Sequence, residues 1–164
     1  MQHRKIKMEL IISPYSETNL PEVQLPDKRF LEILGEQGIR KLISEHYDLL
    51  RKSSINYLFP KEDVAFEQAK KNSSDFFIQI MGGYPYFNEN RGKPMLAQRH
   101  LAFRITPVAR QVWLECYREV LKNIEIDQEI MSSFWNYLDV LSMRMVNTKE
   151  NQPSFVFNMK NKTT

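Results

Sequence analysis

Four stretches of this chain repeat apolar residues at the spacing of a helix turn, and none sustains alternation at period two. Over residues 37–51, Ile39, Ile43, Tyr47 and Leu50 share one helical face, with Leu42 and His46 beside it. Over 64–81, Ala65, Ala69, Phe76, Phe77 and Ile80 make an apolar face on which Ser73 is the polar exception. Thr106-Pro107 is a cap followed by a proline in the first turn, a strong helix start. Val108, Val112, Cys116, Val120 and Ile124 recur beyond it, with Trp113, Tyr117 and Leu121 alongside. Asp127 opens the last helix, which runs to about residue 147 with Ile130, Phe134, Leu138, Leu141 and Met145 as its stripe and Trp135 at its flank. The chain reads as all-α. Its short helices and single long loop do not suit a coiled coil or a regular repeat.

The punctuation divides the 164 residues into three parts. Pro14, Pro21 and Pro26, with polar spacing, make residues 1–26 an irregular extension that lies over the core or is partly mobile. Residues 27–148 form one domain, long enough to bury a full core. Asp27 caps a short helix over 28–34 that Gly35 ends. Residues 53–60 read as a tight helical turn carrying Ile55, Leu58 and Phe59 inward. Gly82-Gly83 ends the helix over 64–81. Residues 84–94 read as a long loop, a length that is often functional inside a compact domain. Pro94 then starts a short helix over 95–100. The tail, 149–164, is polar apart from Phe155-Val156-Phe157.

Several function classes fall away. Net charge is +3 and mixed along the chain, without the basic stripe of a nucleic-acid binder. No run approaches the roughly 18 apolar residues of a membrane span, and the apolar run near the start is too short for a secretory signal, so the expected location is cytoplasmic. The single cysteine, Cys116, excludes an intrachain disulfide and a multi-cysteine metal site. There is no phosphate loop, dinucleotide fingerprint, HExxH pair or GxSxG elbow. With only His3, His46 and His100 present, a zinc site built from histidine and cysteine is not expected. One cofactor needs a single protein ligand: a porphyrin gives iron four nitrogens, and one neutral imidazole completes the site. His100, flanked by Leu96, Leu101 and Phe103, suits that role. Spacing alone leaves it open between an iron ligand and an ordinary half-buried histidine.

The run GGYPYFNENRGKPMLAQRHLAFRITPVARQVWLEC, beginning at Gly82, resembles the signature of the group II truncated haemoglobins, the short form of the globin fold. The resemblance rests on the double glycine, the aromatic-x-x-x-RG-x-P step, R-H-x-x-F-R-I, and a tryptophan thirteen residues after the histidine. Weaker agreement extends it over roughly residues 30–147. It implies a domain of helices around non-covalently held haem b; no CxxCH for covalent attachment is present. It makes His100 the proximal iron ligand and places Tyr47 and Trp113 on the distal side. Phe59, Phe76 and Phe77 fall on positions that pack against the haem. Residues 60–77 run two longer than the family pattern. With the insertion before Ala69, Ala69 falls on the distal gate and Ser73 on the pocket wall. Arg99 and Lys93, with Arg91 and Lys70, are candidates by position for the cationic rim that haem propionates need.

The resemblance further implies binding of dioxygen, nitric oxide and carbon monoxide. A phenol O–H and an indole N–H aimed at a partly negative ligand in a dry pocket would slow its release. The expected function is reversible oxygen binding or transport, with nitric oxide detoxification open. Turnover as a nitric oxide dioxygenase or peroxidase would need a separate reductase, since no flavin or nicotinamide domain is evident. The reading from another class is a cofactor-free helical interaction protein, with the aromatics as core and residues 155–157 as a docking segment.

Overall fold

The computed structural model describes residues 9–149. Every regular element among them is helical: α1 (Arg29–Arg51), a 3₁₀ turn (Asn56–Leu58), α2 (Asp63–Ile80), α3 (Tyr86–Arg91), α4 (Leu96–Arg99), α5 (Pro107–Leu121) and α6 (Gln128–Met145). The all-α class expected from the sequence holds for these residues. Gly35, at φ 71° and ψ 169°, breaks α1 into the short and long helices that its position predicts. Asp27 serves the first turn by accepting the Arg29 backbone N–H at 2.9 Å. The starts of α5 and α6 are capped as read: Thr106 Oγ1 accepts from the Ala109 N–H at 3.0 Å, and Asp127 Oδ1 from the Glu129 N–H at 3.0 Å.

The stripes meet in one core. Ile39, Leu42 and Ile43 of α1 pack with Phe77 and Ile78 of α2, Leu114 and Tyr117 of α5, and Phe134 and Leu138 of α6. Phe30 and Phe134 stack at 4.1 Å. Each such large side chain, once buried, contributes about 1.5–3 kcal/mol. Polar ties set how α2 lies on α1. Arg40 pairs with the buried Asp75 at 2.9 Å, and Lys70 Nζ donates to Asp48 at 2.8 Å and to Ser44 at 3.0 Å.

Three local expectations are corrected. On α2, Phe66 and Ile78 are buried while Ala65 is exposed, because the helix turns its Phe66 edge toward Tyr47. On α5 Leu114, Tyr117, Val120 and Leu121 are buried, and Val108, the first residue of the stripe, is exposed. Small β-branched residues supplied the visible periodicity there, but the larger side chains alongside fill the core. Within 84–94 the chain forms α3 rather than loop throughout. Its anchor is Phe87, buried edge-on against Phe76 at 5.8 Å, and Gly92 closes the helix at φ 79°.

Residues 9–26 carry no regular element and lie as a strap along α5 and α6. Leu10 is buried, and the Leu10, Ile11 and Pro21 carbonyls accept from Arg118, Trp135 and Arg144. Ser13 is held by Asp139 of α6, its N–H at 3.0 Å and its hydroxyl at 2.6 Å from the carboxylate. Residues 155–157 and His3 lie outside the described residues. No helix among those described is long and apolar enough to cross a membrane.

Candidate functional site

The gap that the stripes leave unfilled is a cavity of about 370 Å³ bounded by α1, α2, α4, α5 and the end of α6. Its wall is mostly apolar with a few polar groups, the usual make-up of a small-molecule site. Nine of the ten site residues expected from the sequence line it: Tyr47, Phe59, Ala69, Ser73, Phe76, Phe77, Arg99, His100 and Trp113. Lys93 is exposed and is not on the wall; Arg91 is. Lys70 turns away to bond Ser44 and Asp48. A second hollow of about 680 Å³ lies between residues 12–17 of the strap and the start of α5, and it is lined by no histidine.

His100 sits directly after α4, at the end of a short segment held from several sides. Its Nδ1 is 2.6 Å from the Leu96 carbonyl. A carbonyl only accepts, so the proton resides on Nδ1, and the Nε2 lone pair is left as the ligating atom. Arg99 staples the approach. Its guanidinium donates to the carbonyls of Pro94 at 2.7 Å, Arg91 at 2.8 Å and Lys93 at 3.0 Å, and lies 5.2 Å over the Phe87 ring. Downstream, Asn147 Nδ2 donates to the His100 and Phe103 carbonyls. These bonds fix where the imidazole enters the cavity.

Tyr47 reaches the cavity from α1 with its ring edge-on to Phe59 at 5.5 Å and Phe66 at 5.8 Å. Burial raises its pKa, and the neighbouring Ser73 side chain opposes that shift. The phenol therefore stays a neutral O–H. Trp113 enters from α5, edge-on to Tyr117 at 4.7 Å. Tyr117 also lines the cavity, and burial raises its pKa well above the usual phenol range. Its helical offset of four from Trp113 was the available signal, but the same offset fits a plain core residue. Phe87, Phe103, Leu141 and Met145 complete the apolar wall. Leu141 and Met145, on the α6 stripe, are only half-buried because they face this space.

His46 does not line the cavity. It is fully buried behind it, with Nε2 3.0 Å from the Trp113 carbonyl. Burial pushes its pKa down to about 3, so it is neutral.

The donor set discriminates among metals. The described residues hold no group of three His, Cys, Asp or Glu that could bind an ion alone. One imidazole on an aromatic-walled slot fits iron whose other ligands come from a flat, apolar prosthetic group.

Comparison with known proteins agrees. A family model described as bacterial-like globin matches residues 29–147. The curated group 2 truncated hemoglobin YjbI of Bacillus subtilis is 29% identical over 119 residues, 73% of this chain and 89% of that protein. Among solved structures, phosphate-bound Hell's gate globin IV is 34% identical with a TM-score of 0.78, covering 86% of this chain and 88% of that one. A truncated oxygen-avid haemoglobin from Bacillus subtilis is 27% identical with a TM-score of 0.66, covering 71% and 98%.

Proposed function

We propose, for a chain that belongs to the bacterial-like globin family as a group II truncated haemoglobin, that the cavity beside α4 is the haem slot and His100 the protein's bond to iron. The chain is a haem-binding globin that takes up diatomic ligands such as dioxygen. The observation that carries the assignment of His100 is the 2.6 Å contact between its Nδ1 and the Leu96 carbonyl, on the cavity wall. A hydrogen bond there orients the ring, fixes its tautomer and raises the basicity of the other nitrogen. Phe59, Phe76 and Phe77 supply flat apolar contact. Arg99, with Arg91 and Lys93 nearby, gives positive charge to the rim where haem carboxylates would emerge.

Haem held in this slot would supply an iron able to bind a diatomic ligand. The residues do the rest. Tyr47 and Trp113 offer an O–H and an N–H to an aromatic-walled space, with Ser73 beside the phenol on the same wall. Neutral donors in a low-dielectric site favour a ligand that carries partial negative charge and cost no reorganisation when it arrives. Slow release of dioxygen follows, in keeping with the oxygen-avid relative. Ala69, small and half-buried on the wall, leaves a way past α2 for such ligands. Carbon monoxide and nitric oxide fit the same site. Repeated oxidation of nitric oxide would need a separate reductase to return the iron to the ferrous state, and the setting we propose is cytoplasmic.

The test is an absorption spectrum of haem-loaded protein, ferric, then ferrous, then with carbon monoxide. The expected result is a strong Soret band that moves at each step in the parent protein and is lost or displaced in His100→Ala. An unchanged set of spectra in His100→Ala would remove the assignment.

A further inference from the structure

We propose that His46, which the cavity never touches, is a positioning residue that sets the Trp113 indole relative to Tyr47. This rests on the reading of Tyr47 and Trp113 as the donors to a bound diatomic ligand.

His46 follows helical spacing on α1 and sits where the core would ordinarily take Leu or Phe. Its residue exposure is 0%. One face of the ring stacks on Tyr117 at 3.4 Å between centroids and 20° between planes. Its edges meet Trp113 at 5.3 Å and 84°, and Tyr47 at 6.2 Å and 87°. The imidazole is thus wedged among three cavity aromatics.

Its polar atoms are treated unequally. Nε2 is 3.0 Å from the Trp113 carbonyl, so Nε2 carries the proton and donates. Nδ1 is buried and has no hydrogen-bond partner. Leaving a buried acceptor unpaired costs free energy that Leu or Phe would not incur. Pure packing does not explain that choice. What the histidine gains is one directed bond from α1 to α5, made at the backbone of the residue whose indole enters the cavity. It starts from the neighbour of the residue whose phenol does. The bond fixes the offset between the two helices at that level, and the stacked Tyr117 prevents the ring from turning away. A half-ångström error in where a donor points weakens its bond to a small ligand, so a bond behind the pocket governs one inside it.

The experiment is a double-mutant cycle on oxygen dissociation from haem-loaded ferrous protein. His46→Phe keeps ring volume and stacking and removes the N–H. With Trp113 present it should speed release by about threefold or more; in the Trp113→Phe background it should change release less than about twofold. His46→Gln, which retains an N–H donor, should fall between parent and His46→Phe. The haem-free protein gives a second readout. The indole N–H resonance of Trp113 should shift in His46→Phe, while that of Trp135, held on the Ile11 carbonyl at 2.8 Å, stays as reference. Equal acceleration in both backgrounds, or an unmoved Trp113 resonance, overturns the proposal. If Trp113→Phe alone leaves release unchanged, the donor reading has failed and the proposal falls with it. Should His46→Phe not fold, His46→Met, of similar volume and without an N–H, is read the same way.

Discussion

Removing the carboxylate of Asp139 should destabilise the protein strongly. Arg110 and Asp139 form an ion pair at 2.6 Å with side chains only 3% and 8% exposed. Burial lowers the Arg110 pKa, and Asp139 opposes that shift. The guanidinium also donates to Ser142 Oγ at 2.9 Å, the Ser13 carbonyl at 2.8 Å and the Asp139 carbonyl at 2.9 Å. In Asp139→Ala it remains buried without its counter-ion, a change that typically costs about 3–5 kcal/mol. The two bonds from Ser13 are lost as well, so the strap is released at that point. For a domain of this size each kcal/mol moves the melting temperature by about 2–4 °C, giving a fall of about 10 °C. Thermal unfolding followed by circular dichroism reads that fall. Cleavage by a glutamate-specific protease at Glu17 or Glu22 reads the release of the strap. Replacing both partners by apolar residues of similar volume, Arg110→Met with Asp139→Leu, should recover most of the loss, since the pair's desolvation offsets much of its attraction. A fall below about 2 °C with unchanged cleavage would refute the argument that this pair anchors the strap.

Other consequences can be measured independently. Tyr47→Phe and Trp113→Phe should each speed oxygen release by about tenfold to hundredfold, one hydrogen bond's worth, in a stopped-flow displacement by carbon monoxide; unchanged rates would remove them as donors. His46, with a folded-state pKa of about 3, is depressed from its unfolded value of 6.5. Its contribution is fully present above pH 6.5 and is lost as pH falls from there toward 3, at about 1.4 kcal/mol per pH unit. Denaturant unfolding of the haem-free protein at pH 7 and pH 4.5 should therefore show a smaller acid penalty in His46→Phe than in the parent. Thr106→Val, which removes the cap on α5, should lower stability by about 1 kcal/mol in the same assay.

Much of this was legible in the sequence because helical spacing and caps are local signals. Thr106-Pro107, Asp127 and Gly35 each marked a boundary through the chemistry of one residue, and the stripes of α1 and α6 faced inward as written. The misreadings came where tertiary contacts decide. The six residues of α3 are too few to stand as an isolated helix; they form because Phe87 has Phe76 to pack on, which no local pattern records. On α5 only Val108, at the helix start, departs from the stripe and faces outward, while Leu114, between the stripe positions, is fully buried. In the site, His100, Tyr47 and Trp113 were reached through a rare signature rather than through spacing, and the cavity brings them together. The role of His46 was not readable. A histidine one position from the pocket face looks the same in sequence whether it is idle or bonded to the backbone of another helix.

The most direct test of His100 as the iron's protein ligand is replacement of its side chain by a free one. His100→Gly, loaded with haem and reduced under carbon monoxide, is followed in the Soret region while imidazole is added. The variant alone should show an altered band and return to the parent spectrum as imidazole saturates, since the cavity at α4 then holds the ring without its tether. A variant whose spectrum matches the parent before any imidazole is added would mean that another residue holds the iron, and the assignment of the site would be wrong.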